Sequence, residues 1–112
     1  MPTEAEVVQE LTEESFEGEA KQPGWCLVDF YASWCPHCRA FRPNYEQTAA
    51  DCELPVKFFA ADVEKCREAA RQFGVMSIPT LVLLRDGEKV DTHVGGMGVP
   101  ELQAWLQEKT GS

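Results

Sequence analysis

Residues 27 to 38 constrain the fold more than any other stretch of the chain, and they read L-V-D-F-Y-A-S-W-C-P-H-C. The apolar run over 26–32 predicts a central strand buried on both faces, with one acid, Asp29, inside it. Cys35 and Cys38 follow where a helix should begin, and this spacing lets their sulfurs approach within disulfide distance. Such a pair after a strand indicates a redox dithiol, although half of a zinc site has the same spacing.

The rest of the sequence predicts alternating strands and helices. A short strand around 7–11 precedes a weak helix with Thr12 as its N-cap, and the dithiol helix should run over about 35–51. Asp86-Gly87 is a hairpin signal. The predicted order is β, α, β, α, β, α, β, β, α, with further strands near 56–61, 81–84 and 90–94 and further helices near 66–73 and 99–106.

The last predicted strand alternates apolar and polar residues. Val90, Thr92 and Val94 should face the core, whereas His93 should lie on the exposed face. Parallel units followed by a hairpin predict an α/β fold with a central mixed β-sheet of four to five strands, flanked by helices on both faces. We expect residues 1–112 to form this one domain.

Charge and cysteine content argue against several classes of protein. The net charge of −9 argues against nucleic-acid binding, and no apolar run is long enough to span a membrane. The acidic N-terminus, M-P-T-E-A-E, is unlike a signal segment, which predicts a cytoplasmic protein. Five cysteines, an odd number, predict one catalytic pair with Cys26, Cys52 and Cys66 as inert thiols in the core.

Further features stand at fixed positions relative to the dithiol. Trp34 directly precedes Cys35, and Asp29 lies six residues before that cysteine. Pro79, within Ile78-Pro79-Thr80, lies 41 residues after Cys38. With this combination the chain resembles the thioredoxin family over nearly its whole length. The resemblance implies the thioredoxin fold, which the predicted order of elements matches.

The position of the dithiol at a helix start predicts different roles for its two cysteines. Only a thiolate attacks a disulfide, and the partial positive charge of a helix start favours one at Cys35, the expected nucleophile. His37 can stabilise that thiolate with an N–H donor or a positive charge, next to Pro36. Cys38 is then the resolving thiol. The resemblance implies that Cys35 is exposed and that Asp29, whose pKa burial should raise, relays the proton of Cys38.

The resemblance also implies a substrate groove. Trp34 matches the family's tryptophan beside the site. Pro79 matches its cis-proline, which presents Ile78 to an extended substrate, and Gly95 matches a glycine that lines the groove.

The chain departs from the family's pattern at three places. Pro36-His37 replaces the common Gly-Pro and resembles periplasmic disulfide-forming oxidases, whose large helical insertion has no room in this chain. Phe58 occupies the position of the lysine that often neighbours the buried acid in the family. Tyr31 occupies the position of the first tryptophan in the family's usual W-A-x-W-C.

The leading interpretation is a thiol–disulfide oxidoreductase that reduces protein disulfides. The resemblance implies a thioredoxin reductase as electron donor, no bound cofactor and a monomer. A more oxidising disulfide oxidase or isomerase is the alternative within this class. A metal-binding module that uses Cys35, His37 and Cys38 is an alternative of another class, and a non-catalytic binding module is a third.

Overall fold

The computed structural model of the chain describes residues 7–111. Its elements follow the predicted order and are β1 (Val8–Leu11), α1 (Glu13–Ala20), β2 (Trp25–Tyr31), α2 (Pro36–Asp51), β3 (Val56–Asp62), α3 (Arg67–Gln72), β4 (Thr80–Arg85), β5 (Glu88–Val94) and α4 (Val99–Thr110). The strands form one sheet in the order β1-β3-β2-β4-β5. Strands β1 and β2 run parallel to β3, whereas β4 is antiparallel to β2 and β5 to β4. The predicted mixed sheet is confirmed, with β2 at its centre.

Alternate side chains of β2 enter two hydrophobic cores, one on each face of the sheet. Val28 and Phe30 pack on one face with residues of α1 and α3, among them Phe16. Leu27 packs on the other face with residues of α2 and α4. Asp29 shares the face of Leu27, because side chains two apart in a strand point the same way. The acid therefore lies beneath α2, the helix that carries the cysteines.

A buried tyrosine ties α2 to the sheet. Tyr45 is inaccessible to solvent, and its hydroxyl lies 3.0 Å from the carbonyl oxygen of Leu27 and 2.7 Å from that of Phe59. The single O–H donor is thus shared between acceptors on β2 and β3. Because losing a buried hydrogen bond costs about 1–3 kcal/mol, this contact helps to hold α2 over the middle of β2 and β3.

The faces of β5 are the reverse of the prediction. Val90 and Val94 are exposed, whereas His93 is half-buried, with its ring centroid 6.2 Å from that of Trp105 in α4. A shift of register between β4 and β5 leaves Val90 without a partner in the ladder. The covered face of this edge strand meets an amphipathic indole, which accommodates the polar imidazole.

Candidate active site

The two cysteines lie at the first turn of α2. Cys35 is the N-cap residue and Pro36 begins the helix, where its missing N–H leaves no donor unpaired. The backbone N–H of Cys38 donates a hydrogen bond to Sγ of Cys35 at 3.2 Å. The Cys35 sulfur thus takes the place of an N-cap oxygen and faces the positive end of the helix, where a negative charge is stabilised.

The expectation of an exposed Cys35 is wrong for this structure. Cys35 is 4% exposed and Cys38 is 3% exposed. Both pack in one small cluster with Ala32, against which Val63 and Ile78 also pack. Residue exposure therefore does not distinguish the two cysteines, whereas the hydrogen bond that the Cys35 sulfur accepts from the Cys38 N–H does.

Cys38 is held as a neutral thiol. Burial raises the pKa of Cys38, and the neighbouring Cys35 sulfur and the charge of Asp29 raise it further. A thiol in this state is a poor nucleophile until a base removes its proton. Asp29 is therefore close enough for its charge to act on the second cysteine.

Asp29 is the buried acid that the sequence predicts. It is 0% exposed, and neither carboxylate oxygen accepts a hydrogen bond from any residue within 7–111. Burial raises the pKa of Asp29 to about 7, against the lowering effect of Arg42 and with a smaller raising effect of Glu10. A carboxyl with this pKa is poised to accept and release a proton near neutral pH.

The neighbour of Asp29 on β3 is Ala60. The predicted neighbour, Phe58, is wrong because it lies two residues earlier in β3. The register pairs Asp29 with Ala60 and Leu27 with Phe58. The prediction placed β3 two residues out of register with β2. A shift of two residues leaves every side chain on the same face of the sheet, so the hydrophobic pattern does not reveal it. The conclusion that no lysine adjoins the acid still holds, because Lys57 pairs with Cys26 and reaches Gln22 instead.

The Ile78–Pro79 peptide bond is cis, as predicted. The backbone N–H of Gly95 donates a hydrogen bond to the carbonyl oxygen of Pro79 at 2.7 Å, which joins the end of β5 to the start of β4. Gly95 has φ of +94°, a conformation that side-chain-bearing residues rarely adopt. Trp34, by contrast, is 61% exposed beside the dithiol. Trp34 thus presents an apolar side chain to solvent beside the site.

The sequence model of the thioredoxin family matches residues 7–108. The chain belongs to the thioredoxin family. It is 40% identical over 89 residues to a thioredoxin of Listeria monocytogenes, which covers 80% of this chain and 85% of that protein. It is 40% identical over 88 residues to a protein disulfide-isomerase of Drosophila melanogaster, covering 76% of this chain but 18% of the isomerase.

The fold agrees with this membership of the thioredoxin family. A solved thioredoxin structure from Malassezia sympodialis matches with a TM-score of 0.81 and 28% identity, covering 92% of this chain and 90% of that one. The chain is accordingly a thioredoxin-type thiol–disulfide oxidoreductase that acts on protein disulfides.

His37 does not share the buried cluster of the two sulfurs. It is exposed and lines an open cleft with Gly96, Met97 and Glu101, between α2 and the loop before α4. Any effect of His37 on the thiolate therefore acts through the solvent-facing side of the helix start.

The remaining cysteines are separate from this thioredoxin site. Cys26 and Cys66 are buried, as predicted, whereas Cys52 is only half-buried at the C-cap of α2. The metal-binding alternative is not supported, since the described part of the chain holds no group of three or more His, Cys, Asp and Glu residues arranged for a metal.

Two charged neighbours of Asp29 escaped the sequence analysis. Arg42 follows Cys38 by four residues, so helical spacing alone puts both on one face of α2. Glu10 lies on β1 and reaches the same region only through the parallel sheet. The position of Arg42 could have been predicted from the sequence, whereas that of Glu10 depends on the register of the strands.

Proposed function

We propose that this thioredoxin-family protein reduces protein disulfides with Cys35 as the attacking thiol and Cys38 as the resolving one. The observation that carries this assignment is the hydrogen bond from the Cys38 N–H to Cys35 Sγ at 3.2 Å. The Cys35 thiolate attacks one sulfur of the substrate disulfide. A mixed disulfide forms, and the other substrate sulfur leaves as a thiolate.

Asp29 serves the second step. Its carboxylate accepts the proton of Cys38, and the resulting thiolate attacks Cys35 Sγ. The Cys35–Cys38 disulfide forms as the second substrate sulfur leaves, so the substrate gains the two electrons that the dithiol loses. The raised pKa of Asp29, about 7, supports this role because the group can both take up and release a proton near neutral pH.

Trp34, Ile78, Pro79 and Gly95 bind the extended substrate around the disulfide. The exposed indole of Trp34 and the packing of Ile78 against the cysteine cluster support this groove. A flavin-containing thioredoxin reductase restores the dithiol, and the protein acts as a cytoplasmic monomer with no cofactor of its own. Within residues 7–111, none of the helices combines the length and apolar character needed to cross a bilayer.

Reduction of insulin disulfides with dithiothreitol tests this function. We expect the wild-type protein to accelerate the reaction and Cys35→Ser to abolish the acceleration. Cys52→Ser is the matched control, because Cys52 lies at the other end of α2 and should leave the rate unchanged. Equal rates for wild type and Cys35→Ser would contradict the proposal. NADPH oxidation in the presence of a thioredoxin reductase then tests the proposed donor.

Net oxidation or isomerisation is the second candidate. Pro36-His37 favours it, as does the similarity to a protein disulfide-isomerase. Oxidation of a reduced, unfolded protein by the disulfide form separates the two directions, since a strongly reducing dithiol leaves such a substrate reduced.

A further inference from the structure

Glu10, Ala60 and Asp29 stand in one row across three strands. The register pairs Glu10 of β1 with Ala60 of β3, and Ala60 in turn with Asp29 of β2. Residues paired in this way point to the same face, so the backbones of the two acids are about 10 Å apart, twice the strand spacing. Ala60, whose side chain is a single methyl group, thus lies between Asp29, which is buried, and Glu10, which is exposed.

Tyr31 and Arg42 lie close to the two acids of this row. Tyr31 lies two residues after Asp29 in β2 and therefore on the same face. Its hydroxyl donates a hydrogen bond to Oε2 of Glu10 at 2.6 Å. The guanidinium carbon of Arg42 lies 4.6 Å from the centre of the Tyr31 ring, and Nη1 of Arg42 lies 3.9 Å from a carboxylate oxygen of Glu46. These contacts join Glu10, Tyr31, Arg42 and Glu46 in one polar cluster.

The charges of this cluster act on Asp29 in opposite directions. Arg42 lowers the pKa of Asp29 and Glu10 raises it. Burial raises the pKa of Tyr31, which keeps its hydroxyl a donor to Glu10. The titratable or charged groups near Asp29 come from three elements: Glu10 from β1, Tyr31 from β2, and Cys38, Arg42 and Tyr45 from α2. The residues that pair with Asp29 on the neighbouring strands are apolar, Ala60 on β3 and Leu81 on β4. His93 of β5 pairs with Leu81 and is therefore one strand farther away.

We propose that Glu10, Tyr31 and Arg42 form the polar exit through which Asp29 loses its proton to water, so that its carboxylate is available when Cys38 must be deprotonated. The inference rests on the proposed role of Asp29 as the base for Cys38. The proton leaves Cys38 for the Asp29 carboxylate and passes to solvent on the Glu10 side of Ala60, which restores the carboxylate. Arg42 is a positioning residue that favours the charged form of Asp29, and the Tyr31 hydroxyl holds Glu10 at the opening.

The charge substitutions Arg42→Met and Glu10→Gln test this exit in opposite directions. The carboxyl carbon of Asp29 is followed by NMR against pH, and the rate of mixed-disulfide resolution is followed by stopped-flow fluorescence. Arg42→Met should raise the titration midpoint, and Glu10→Gln should lower it. Because the base form is needed, Arg42→Met should slow resolution about threefold at neutral pH, with recovery in alkali. Glu10→Gln should speed it below neutral pH.

Two variants serve as controls. Arg42→Lys keeps the charge and should restore both the midpoint and the rate. Arg71→Met removes an exposed cation whose partner is Glu68, in α3 on the other side of the sheet, and should change neither.

The outcomes separate this inference from the proposed function. If Arg42→Met and Glu10→Gln move the Asp29 midpoint no more than Arg71→Met does, the exit is wrong, although Asp29 can still be the base. The exit is also wrong if these substitutions shift the titration midpoint of Asp29 but leave the pH dependence of mixed-disulfide resolution unchanged. This conclusion requires that Asp29→Asn itself resolves the mixed disulfide slowly. If Asp29→Asn resolves the mixed disulfide at the wild-type rate, the proposed relay itself is wrong, and the exit falls with it.

Discussion

The backbone N–H of Cys38 donates its hydrogen bond to Sγ of Cys35, the same sulfur that the Cys38 thiol attacks in the proposed mechanism. The two cysteines are therefore inequivalent before a substrate arrives. Cys35 is the N-cap of α2, and its sulfur accepts a hydrogen bond from the first turn of that helix. Burial and its neighbours raise the pKa of Cys38, which keeps it a thiol.

The first prediction concerns this inequivalence. Cys38→Ser should accumulate a stable mixed disulfide between Cys35 and a protein substrate, because the second displacement lacks its thiol. Cys35→Ser should accumulate none. Non-reducing electrophoresis and mass spectrometry after incubation with an oxidised substrate measure both. Accumulation with Cys35→Ser and not with Cys38→Ser would reverse the assignment.

The second prediction concerns the stability cost of Asp29. Its pKa is about 7 in the folded protein and 3.8 as the ordinary value, so between these values the folded state binds more protons than the unfolded state. The free energy of unfolding should therefore fall as pH rises from about 4 to 7 and stay low above that range. Asp29→Asn removes the titration and should be more stable than wild type by about 2–4 kcal/mol at pH 8.

Urea unfolding at pH 4 and pH 8 measures this difference. The two proteins should differ little at pH 4, because Asp29 is protonated in the folded state and the unfolded state has released only about half of its proton there, so the linked loss of stability has barely begun. Asp51→Asn, an exposed substitution at the end of α2, is the control and should follow the wild type at both values. If Asp29→Asn gains no stability at alkaline pH relative to this control, Asp29 is not a destabilising buried charge.

The sequence was sufficient for features that depend on local pattern. The strand before the dithiol, the helix that starts beside Cys35 and the hairpin at Asp86-Gly87 are all present, and both hairpin residues have positive φ as a tight turn requires. Two of the errors concern relations between elements that are distant in the sequence. The neighbour of Asp29 on β3 depends on register, and the orientation of His93 depends on which face α4 covers.

The third prediction concerns Gly96, in the loop beside the site. A Cβ atom built at Gly96 would lie 2.9 Å from Cδ1 of Phe41, a side chain that is itself buried. Gly96→Ala should therefore destabilise the protein by about 1–3 kcal/mol, since the packed ring has little room to move. Thermal unfolding measures the effect. Gly18→Ala is the matched control: it lies exposed within α1, no atom is within 4 Å of its built Cβ, and it should stabilise by about 1 kcal/mol.

The last prediction concerns the reduction potential of the Cys35–Cys38 pair. Thioredoxin lies near −270 mV and the periplasmic oxidase near −120 mV, a gap worth roughly 7 kcal/mol for two electrons. The oxidase is poised there because its reduced form is stabilised, and it shares Pro-His with this chain. His37 is exposed at the solvent side of the helix start, where it can supply only part of that stabilisation. We therefore expect a potential between the two values, measured by equilibration with glutathione.

The double substitution Pro36→Gly with His37→Pro separates the dipeptide from the rest of the fold. It removes the imidazole and should lower the potential toward about −270 mV. Because a tenfold change in equilibrium constant is about 30 mV for two electrons, even a partial effect of His37 is measurable. His93→Gln is the control, since His93 packs against Trp105 and its ring bonds the Gly95 carbonyl rather than the dithiol. A wild-type potential at or below that of thioredoxin would show that His37 does not tune the pair. A rise in the double variant would reverse the direction argued for the imidazole.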